Sequence, residues 1–471
     1  MGKSLGLGIW RSKVMTVGMA SRREFLRASA AATAGAALVA LPALARARGG
    51  ASQRVRVGIC GLGGRGGAHL KALHELAGEN VEVAALCDCY AKSRTSAAEN
   101  YEKLSGKKVA QYDDMRKMLE NESIDAVSFA TPNHWHVLGA IWACQAGKDV
   151  YLEKPGSQNL AEGRKLVEAA RKYQRMVQHG TQCRSSPNIR EAIDKLKDGV
   201  IGRPYMARIV NYKLREKSLG RSEPAAVPEG LNWDMWVGPA PLVPFSTFAW
   251  RRANWRWDFG VGDIGNQGVH QLDLVRWGLR LDAHPTKVQA MGGNFFHTDD
   301  DCECPNTLAA AFTYDDRKLL VTCETRDGFT NSEAGLGIEY PFVDHHNVVG
   351  VIFYGTDGYM ILPDYSSYYT FLGEKRTPGP SKTLEGNPMM DVDHFRNWIQ
   401  AVRSRKAADL NAEILEGHMS TSLVHLANIA YRVGKTVEFD PQAERFVSDE
   451  EANALLGRRK KRPPYVIPNE I

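Results

Sequence analysis

A glycine-rich turn is the part of this sequence whose residue types and spacing most clearly indicate a chemistry. The apolar run Val55–Cys60 is typical of a buried strand, and it continues through Gly61-Leu62-Gly63-x-x-Gly66 into a helical pattern. Gly61 permits a tight turn, Gly63 lets the backbone approach a pyrophosphate, and Gly66 lets the helix pack closely on the strand. The free N–H groups of the helix N-terminus would bind the phosphates. The pattern therefore predicts a dinucleotide site that includes the backbone of Leu62.

An acidic residue at the end of the next strand pattern extends this prediction to the ribose. The apolar run at 81–87 is followed by Asp88, which lies 22 residues beyond Gly66. That spacing is close to the ~20 residues expected for the acid that binds a ribose 2′-hydroxyl. Because a carboxylate there would repel a 2′-phosphate, we predict that the cofactor is NAD. The alternative is a glycine-rich loop followed by an ordinary aspartate at a strand end.

Lys154 is a candidate for transferring a proton or stabilising a developing negative charge. It belongs to Glu153-Lys154-Pro155, which follows the strand pattern at 149–152. Proline restricts the preceding residue to extended conformations, so the backbone of Lys154 is constrained at the rim of the predicted site. A lysine that is partly desolvated there would have its pKa lowered toward the range of proton transfer. Taken alone, a lysine at a strand end is more often a surface residue.

A histidine-bearing segment, 262–277, supplies the second candidate for proton transfer. If the segment is helical from about residue 267, then Asn266, His270 and Asp273 lie on one face of the helix. The imidazole of His270 can accept, near neutral pH, the proton that a hydroxyl must lose when it is oxidised. The alternative for His270 is a structural histidine that satisfies hydrogen bonds.

The elements around these residues predict two domains after residue 51. Across 52–183, strand patterns alternate with helical stretches, which indicates a doubly wound parallel sheet, a Rossmann domain. Ligands of such sheets bind outside the carboxyl ends of the strands. That rule brings five residues to the cofactor: Thr131, Pro132, Asn133, Glu153 and Lys154.

The remaining chain has a different pattern. Strand-like segments separated by turns dominate residues 184–455, which predicts an α+β domain with a large, mostly antiparallel open sheet. Helical patterns at 393–403 and 412–433 would pack on either domain. Residues 456–471 form a basic, Pro-rich tail, whose charged run at 458–462 is most simply solvated.

The N-terminal residues 1–47 predict export. Three features are typical of a twin-arginine signal: the motif Ser21-Arg-Arg-Glu-Phe-Leu-Arg27, a mild apolar stretch after it, and small residues at the end of that stretch. Such a signal implies a periplasmic location. The apolar stretch is too short and too weak for a stable membrane anchor. This segment carries seven Lys or Arg and one Glu, a net charge of +6 that equals the net charge of the whole chain. The rest is near neutral, so nucleic-acid or membrane partners are not predicted.

The cysteines indicate neither a disulfide framework nor a metal site. Eight cysteines occur, and their spacing matches no disulfide pattern of small secreted domains. Cys302 and Cys304 lie near His297, but this spacing matches no standard ligand set. We therefore predict no metal.

Taken together, these motifs resemble the Gfo/Idh/MocA family of oxidoreductases, whose members are glucose-fructose oxidoreductase-like and inositol dehydrogenase-like. The resemblance runs from about Val55 to the C-terminus. Its most specific stretches are Ala130-Thr-Pro-Asn-x-x-His136 and Ala146-Gly-Lys-Asp-Val-Tyr-Leu-Glu153-Lys154-Pro155. The stretches Gly180-Thr-Gln-Cys-Arg184 and Trp233-Asp-Met-Trp236-Val-Gly-Pro-Ala look like an exported, bacterial branch.

The resemblance implies roles for individual residues. Lys154 would contact both nicotinamide and substrate, and His270 would be the catalytic base. His136 is assigned to the cofactor site, and Arg184 and Asn266 to the substrate. The family often has an aspartate where this chain has Asn266, so the usual carboxylate–histidine pair is altered, and Asp273 is the candidate replacement.

Three functions are expected in order of preference. The first is NAD-dependent hydride transfer to or from a secondary hydroxyl of a sugar, glycoside or cyclitol. The second is an NAD-dependent glycosidase, as some relatives are, which oxidises a sugar transiently, eliminates the aglycone and returns the hydride. The third is a nucleotide-binding sensor without turnover. A homo-oligomer formed through the C-terminal sheet is also expected.

Overall fold

A computed structural model describes residues 54–215, 217–328, 347–383, 390–458 and 460–471. The predicted export signal at 1–47 lies outside the described residues. Among the described helices, none is both long enough and apolar enough to cross a membrane.

The first sheet is parallel and six-stranded, as predicted, in the order β3-β2-β1-β4-β5-β6. Its strands are β1 Val55–Cys60, β2 Val81–Cys87, β3 Ala110–Tyr112, β4 Ala126–Phe129, β5 Asp149–Leu152 and β6 Val177–His179. The intervening helices are α1 Gly66–Glu75, α2 Ala91–Ser105, α3 Met115–Glu120, α4 Asn133–Gln145 and α5 Leu160–Lys172. The strand order reverses direction between β1 and β4, and ligands of doubly wound sheets bind at such a point.

The second sheet contains ten strands in the order β14-β13-β12-β11-β7-β10-β9-β8-β15-β16. Their bounds are β7 Pro204–Lys213, β8 Lys287–Gly293, β9 Thr307–Tyr314, β10 Leu319–Arg326, β11 Asn347–Gly355, β12 Gly358–Leu362, β13 Tyr368–Leu372, β14 Thr377–Lys382, β15 Val437–Asp440 and β16 Arg445–Phe446. Among these described strands only β7 and β10 pair in parallel, so the prediction of a mostly antiparallel sheet is confirmed.

Helices cover one face of the second sheet and extend to the first. Those that follow residue 186 are α6 Pro187–Lys197, α7 Trp233–Val237, α8 Thr247–Arg251, α9 Gly262–Asn266, α10 Gly268–Leu279, α11 Met390–Ser404, α12 Ile414–Val433 and α13 Glu450–Asn453. Helices α6, α10 and α12 share an apolar core with the second sheet. Helix α11 instead buries Phe395 and Trp398 in the core of the parallel sheet. The chain therefore returns to its first domain after building most of the second.

A partly buried carboxylate connects the last part of the chain to the first domain. Glu444, in the turn between β15 and β16, accepts hydrogen bonds from Arg164 on α5 at 2.9 and 2.6 Å. The Nε2 atoms of His284 and His418 lie 2.8 and 2.9 Å from the same carboxylate. These donors link α5, α12 and the turn, and the adjacent guanidinium makes the cluster a poor place for a metal cation.

The C-terminal tail is packed and is not the solvated run that the sequence suggested. Arg458 forms an ion pair with Glu162 on α5 at 2.7 Å, and Arg462 forms one with Asp234 on α7 at 2.6 Å. Tyr465 is buried in the core of the parallel sheet. Arg458 and Arg462 therefore have carboxylate partners that are distant in sequence, which charge composition alone does not reveal, whereas Lys460 and Lys461 are exposed.

Candidate active site

A cleft of about 470 Å³ lies at the carboxyl ends of the parallel strands. Its walls come from the glycine turn, from the ends of β2, β4 and β5, and from a segment of the second domain. Ten residues predicted from the sequence line it: Gly61, Gly63, Asp88, Thr131, Pro132, Asn133, His136, Glu153, Lys154 and Asn266. Leu62, Gly66, Arg184 and His270 are not among the lining residues and lie behind or beside the wall.

The glycine turn has the close packing that the motif predicts. Gly61 has φ +89°, and a Cβ there would lie 2.6 Å from the carbonyl of Ala130. A Cβ on Gly66 would lie 2.0 Å from the Gly61 oxygen, so α1 can begin this close to β1 only without a side chain. A Cβ on Gly63 would have Ser93 Oγ as its nearest neighbour, at 3.9 Å, which leaves open space for a phosphate to approach.

The carboxylate of Asp88 is held against this turn. Its two oxygens accept the backbone N–H groups of Leu62 at 2.7 Å and Tyr90 at 2.8 Å. Burial raises the pKa of Asp88 even though these two bonds oppose that shift. Leu62, predicted to contact the cofactor, therefore directs its N–H to Asp88, and each carboxylate oxygen keeps capacity to accept a ribose hydroxyl.

Two buried polar atoms beside the cleft have no partner within the described structure. They are Thr131 Oγ1 and Asn133 Nδ2, which follow β4 directly. Buried polar groups are rarely left unpaired, because desolvation without a hydrogen bond is costly. Together with the glycine turn and Asp88, these atoms fit a dinucleotide that supplies phosphate, ribose and amide groups.

His136 braces two segments of the wall. Its Nδ1 lies 2.7 Å from the carbonyl oxygen of Pro155, and its Nε2 lies 2.8 Å from that of Thr131. The residue was predicted to bind the cofactor. Both ring nitrogens face backbone carbonyls, and because burial lowers the pKa of His136, the neutral ring donates to one of the two. His136 therefore lies between the end of β4 and the turn that carries Lys154.

Glu153 is a buried carboxylate whose partners, an arginine and a histidine, the sequence did not reveal. Its Oε1 lies 2.8 Å from Arg65 Nε and 3.0 Å from His69 Nε2. Burial alone would raise the pKa of Glu153, but the hydrogen bond from His69 and the charge of Arg65 hold it well below its ordinary value. Arg65 also donates to Asp391 on α11, at 2.9 Å. Glu153 thus orders the wall of the cofactor site.

Lys154 joins the two domains at the expected nicotinamide end of the cleft. Its ammonium donates a hydrogen bond to the backbone carbonyl of Asn266, the last residue of α9. Withdrawal from water lowers the pKa of Lys154, despite the neighbouring carboxylate of Glu153. The side-chain oxygen of Asn266 lies 3.4 Å from Asn254 Nδ2, and both asparagines line the cleft. A substrate hydroxyl beside Lys154 would therefore also meet amide groups.

His270 lies behind Lys154 on α10. Its side chain is buried, its Nδ1 is 3.9 Å from Cys183 Sγ, and its ring is 5.3 Å from that of Tyr365. Burial, reinforced by the charge of Lys154, holds the pKa of His270 well below its ordinary value. The imidazole is therefore neutral at physiological pH, which is the form that can accept a proton.

Two predicted relationships in this segment are corrected by the structure. Asn266 ends α9, and His270 belongs to the separate helix α10, so the two do not share one helical face. Asp273 binds Arg184 through two hydrogen bonds, at 2.8 and 2.9 Å, and accepts a third from Ser420. Asp273 is therefore no hydrogen-bonding partner of His270. Arg184 is buried in this ion pair, which differs from its predicted place at the substrate.

The sequence also missed a cover over the nucleotide half of the cleft. This cover, residues 230–260, docks on the parallel sheet through backbone hydrogen bonds from Ala91 to Gly230 and from Asn232 to Cys89. The indole of Trp135 donates to the carbonyl of Trp236 at 3.0 Å. The cover adds six lining residues: Met235, Trp236, Trp250, Arg251, Ala253 and Asn254. Its density of tryptophans was the one signal available in the sequence.

Two domain models of the Gfo/Idh/MocA oxidoreductases match the chain. The NAD-binding Rossmann fold matches residues 55–181, and the C-terminal alpha/beta domain matches residues 187–330 and 368–467. The protein therefore belongs to the Gfo/Idh/MocA oxidoreductase family. It is an NAD-dependent oxidoreductase, and the cleft described above fits that cofactor.

Curated relatives are similar over part of their length. The rhizopine catabolism protein MocA of Rhizobium meliloti is 26% identical, over 61% of this chain and 73% of the relative. A glycosyl hydrolase family 109 protein of Saccharopolyspora erythraea is 31% identical, over 48% of this chain and 54% of the relative. The match thus spans about half the length of the second relative.

Solved structures support the fold across nearly their whole length. The WlbA dehydrogenase from Bordetella pertussis, in complex with NADH and UDP-GlcNAcA, is 19% identical with a TM-score of 0.60. A levoglucosan dehydrogenase, in complex with NADH and levoglucosan, is 15% identical with a TM-score of 0.61. Each match covers 82% of this chain and 99% of the other.

The charge states at the site predict a bell-shaped pH dependence of kcat/KM. His270 must be neutral to accept a proton, and its pKa is lowered from 6.5, so the acid limb should lie below pH 6.5. Lys154 must be charged to stabilise a developing alkoxide, and its pKa is lowered from 10.5, so the basic limb should lie below pH 10.5.

Steady-state kinetics at saturating NAD measure both limbs. His270→Ala should lower kcat by ~10²–10⁴-fold and remove the acid limb. The control is His74→Ala, on α1 outside the cleft lining, which should leave the profile unchanged. An unchanged acid limb in His270→Ala would show that another group is the base.

Proposed function

We propose that this protein transfers a hydride between NAD and a secondary hydroxyl of a sugar, glycoside or cyclitol. The observation that carries the proposal is the meeting of Lys154 and Asn266 at one end of a cleft that fits a dinucleotide, with neutral His270 behind Lys154 in the wall. Bound NAD supplies the hydride acceptor or donor. The protein supplies orientation, proton transfer and a binding surface rich in hydrogen-bonding groups.

In the proposed oxidation, Lys154 holds the reacting hydroxyl and stabilises the charge that develops on its oxygen. His270 lies behind Lys154, so the proton reaches it through the lysine: the ammonium gives one of its protons to the neutral imidazole and takes the hydroxyl proton in its place. The carbonyl of Asn266 fixes the direction of the lysine side chain. The side-chain amides of Asn254 and Asn266 bind neighbouring hydroxyls, which favours a polyhydroxylated substrate over a simple alcohol.

Sugar chemistry is further supported by what the relatives are reported to bind. The structure of the WlbA dehydrogenase contains UDP-GlcNAcA, and that of the levoglucosan dehydrogenase contains levoglucosan. Their similarity to this chain extends to the fold, so the inference for this protein depends on its own amide-rich cleft.

A second candidate is a glycosidase that oxidises the sugar, eliminates the aglycone and reduces the product again. The cover favours this glycosidase. Residues 230–260 dock over the nucleotide half of the cleft by backbone hydrogen bonds. Arg462 of the tail also holds the cover, because it donates to the carbonyl of Gly238 at 2.7 Å. Such a cover slows exchange of the cofactor, and a reaction that returns its hydride needs no exchange. The relatives of glycosyl hydrolase family 109 agree with this candidate.

A panel of 4-nitrophenyl glycosides and the corresponding free sugars separates these candidates. A dehydrogenase should give NADH absorbance without nitrophenol, whereas the glycosidase should release nitrophenol without net NADH. Lys154→Ala should abolish either signal but leave the amount of bound NAD unchanged. Bound NAD is measured by mass spectrometry after release by heat. A protein that binds NAD but gives neither signal over the whole panel would contradict the proposal, and bound NADP would contradict the role of Asp88.

We infer further that the protein self-associates through the face of the second sheet opposite α6, α10 and α12. This face presents Met291 and Leu320, which are 67% and 37% exposed, and the paired rings of Tyr354 and Tyr359. Exposed apolar patches on a sheet commonly form interfaces between copies.

Light scattering coupled to size-exclusion chromatography measures this association. Leu320→Glu should convert the oligomer to monomers, because it places a charge in an apolar interface, and it should leave NAD binding unchanged. Leu104→Glu is the control, since Leu104 is 48% exposed on α2 of the first domain. A wild-type monomer at micromolar concentration would overturn the inference.

Export by the twin-arginine route is also proposed, on the strength of the paired Arg22 and Arg23 and the apolar stretch that follows them. Because this route carries folded proteins, the cofactor would be loaded before export. Replacing both arginines by lysine should leave the protein in the cytoplasmic fraction. Equal periplasmic recovery of this variant and of the wild type would refute the route.

A further inference from the structure

Asp263, on the short helix α9, is a buried carboxylate that does not line the cofactor cleft. Arg215 Nη2 donates to both of its oxygens at 2.7 Å, and the indole N–H of Trp255 donates to one of them at 2.8 Å. The guanidinium also packs on the Trp255 ring, with Cζ 4.2 Å from the ring centroid. Asp263 therefore joins three segments: α9, the segment after β7 and the cover.

The backbone of α9 is held at the same place. The buried Asn211 of β7 donates from its Nδ2 to the carbonyl of Asp263 at 3.3 Å. Three residues later the helix ends at Asn266, whose carbonyl accepts the ammonium of Lys154. The anchoring of Asp263 therefore sets the position of the acceptor that directs Lys154.

A second buried carboxylate, that of Asp327 after β10, shares the same guanidinium. Its Oδ2 lies 2.8 Å from Arg215 Nε, but without the alignment of a hydrogen bond. Burial, and then the negative charge of Asp263, raise the pKa of Asp327 to about 8, although Arg215 and Lys213 oppose the shift. Asp263, with three donated hydrogen bonds, is therefore the anion that balances Arg215, and Asp327 keeps its proton at neutral pH.

The charge of Asp263 also acts on Lys154. Burial lowers the pKa of this lysine, and the carboxylate of Glu153 is the main group that opposes the shift. Arg65 adds to the lowering, whereas Cys183 and Asp263 act against it. Asp263 therefore favours the charged form of Lys154, which is the form that stabilises a developing alkoxide.

We propose that Asp263 is a positioning residue for Lys154. It acts through α9, whose last carbonyl it places against the ammonium, and through its negative charge. The proposal rests on the function proposed above for Lys154. It also connects the cover to the reacting end of the cleft, because Trp255 of the cover binds the same carboxylate.

Steady-state kinetics at pH 7, with saturating NAD and a sugar or glycoside that gives turnover, test the proposal. Asp263→Asn should lower kcat by ~10- to 10²-fold, the cost of a small displacement of a catalytic group, with KM and bound NAD nearly unchanged. Asp327→Asn is the matched variant. Its amide has the shape of the protonated carboxyl that it replaces, so kcat should stay close to that of the wild type.

Competitive labelling of the full, NAD-loaded protein with acetic anhydride gives a second measurement that needs no substrate. The reagent reacts only with the neutral amine, so acetylation of Lys154 across pH, measured by mass spectrometry, follows its titration. Asp263→Asn should shift this curve to lower pH, because the ammonium loses a nearby anion and a fixed acceptor. Asp282→Asn, at an exposed position after α10, is the control and should leave the curve in place.

The proposal is overturned if Asp263→Asn leaves either kcat or the labelling curve of Lys154 as in the wild type. It is also overturned if Asp327→Asn lowers kcat as much as Asp263→Asn, because the loss would then reflect damage to the whole cluster.

Two further outcomes are distinguishable. If Asp263→Asn unfolds, as judged by circular dichroism, Trp255→Phe decides, because it removes only the indole N–H that binds Asp263 and should change kcat and the curve in the same directions. A wild type without turnover on any sugar would contradict the proposed function, and the labelling curves would then decide the role of Asp263.

Discussion

The pairing of the buried Glu153 carboxylate is the constraint on which the active site depends. A buried charge is tolerated only when partners replace its lost hydration, and Glu153 has them in Arg65 and His69. Arg65 belongs to the glycine turn and also binds Asp391 on α11. One carboxylate thus fixes the turn that would hold pyrophosphate relative to the strand that carries Lys154.

The second domain completes a site that the parallel sheet only begins. Lys154 reaches across to the carbonyl of Asn266, and the cover, residues 230–260, closes the nucleotide half of the cleft. Helix α11 packs on the first domain, and α12 contributes residues to the apolar cores of both domains. Continuous packing of this kind suits a hydride transfer, in which small displacements between reacting atoms are costly.

The electrostatics of the site assign different roles to the adjacent groups Lys154 and His270. Enclosure lowers the pKa of Lys154, and burial beside that ammonium lowers the pKa of His270 further below its ordinary value. A charged lysine next to a neutral imidazole can stabilise an oxyanion and accept a proton within the same small volume. The buried Arg184–Asp273 pair lies beside them and stiffens α10, on which His270 is carried.

The sequence by itself determined the parts of the site whose chemistry is local. Four parts of the site each follow one strand and precede one helix: the glycine turn, Asp88, the residues after β4 and the Lys154 turn. Spacing along the chain therefore predicts that they lie at the carboxyl ends of the strands. The parallel sheet and the mostly antiparallel second sheet also follow from local patterns of apolar residues.

Only the tertiary structure decided which distant groups meet. Four interactions join residues that are remote in sequence. They are the contacts of Glu153 with Arg65 and His69, the hydrogen bond from Lys154 to Asn266, the ion pair of Arg184 with Asp273, and the packing of the tail. No local pattern encodes them, because a buried charge requires a partner without specifying where in the chain that partner lies. The cover was missed for the same reason, since its tryptophans suit a core, an interface or a cleft equally well.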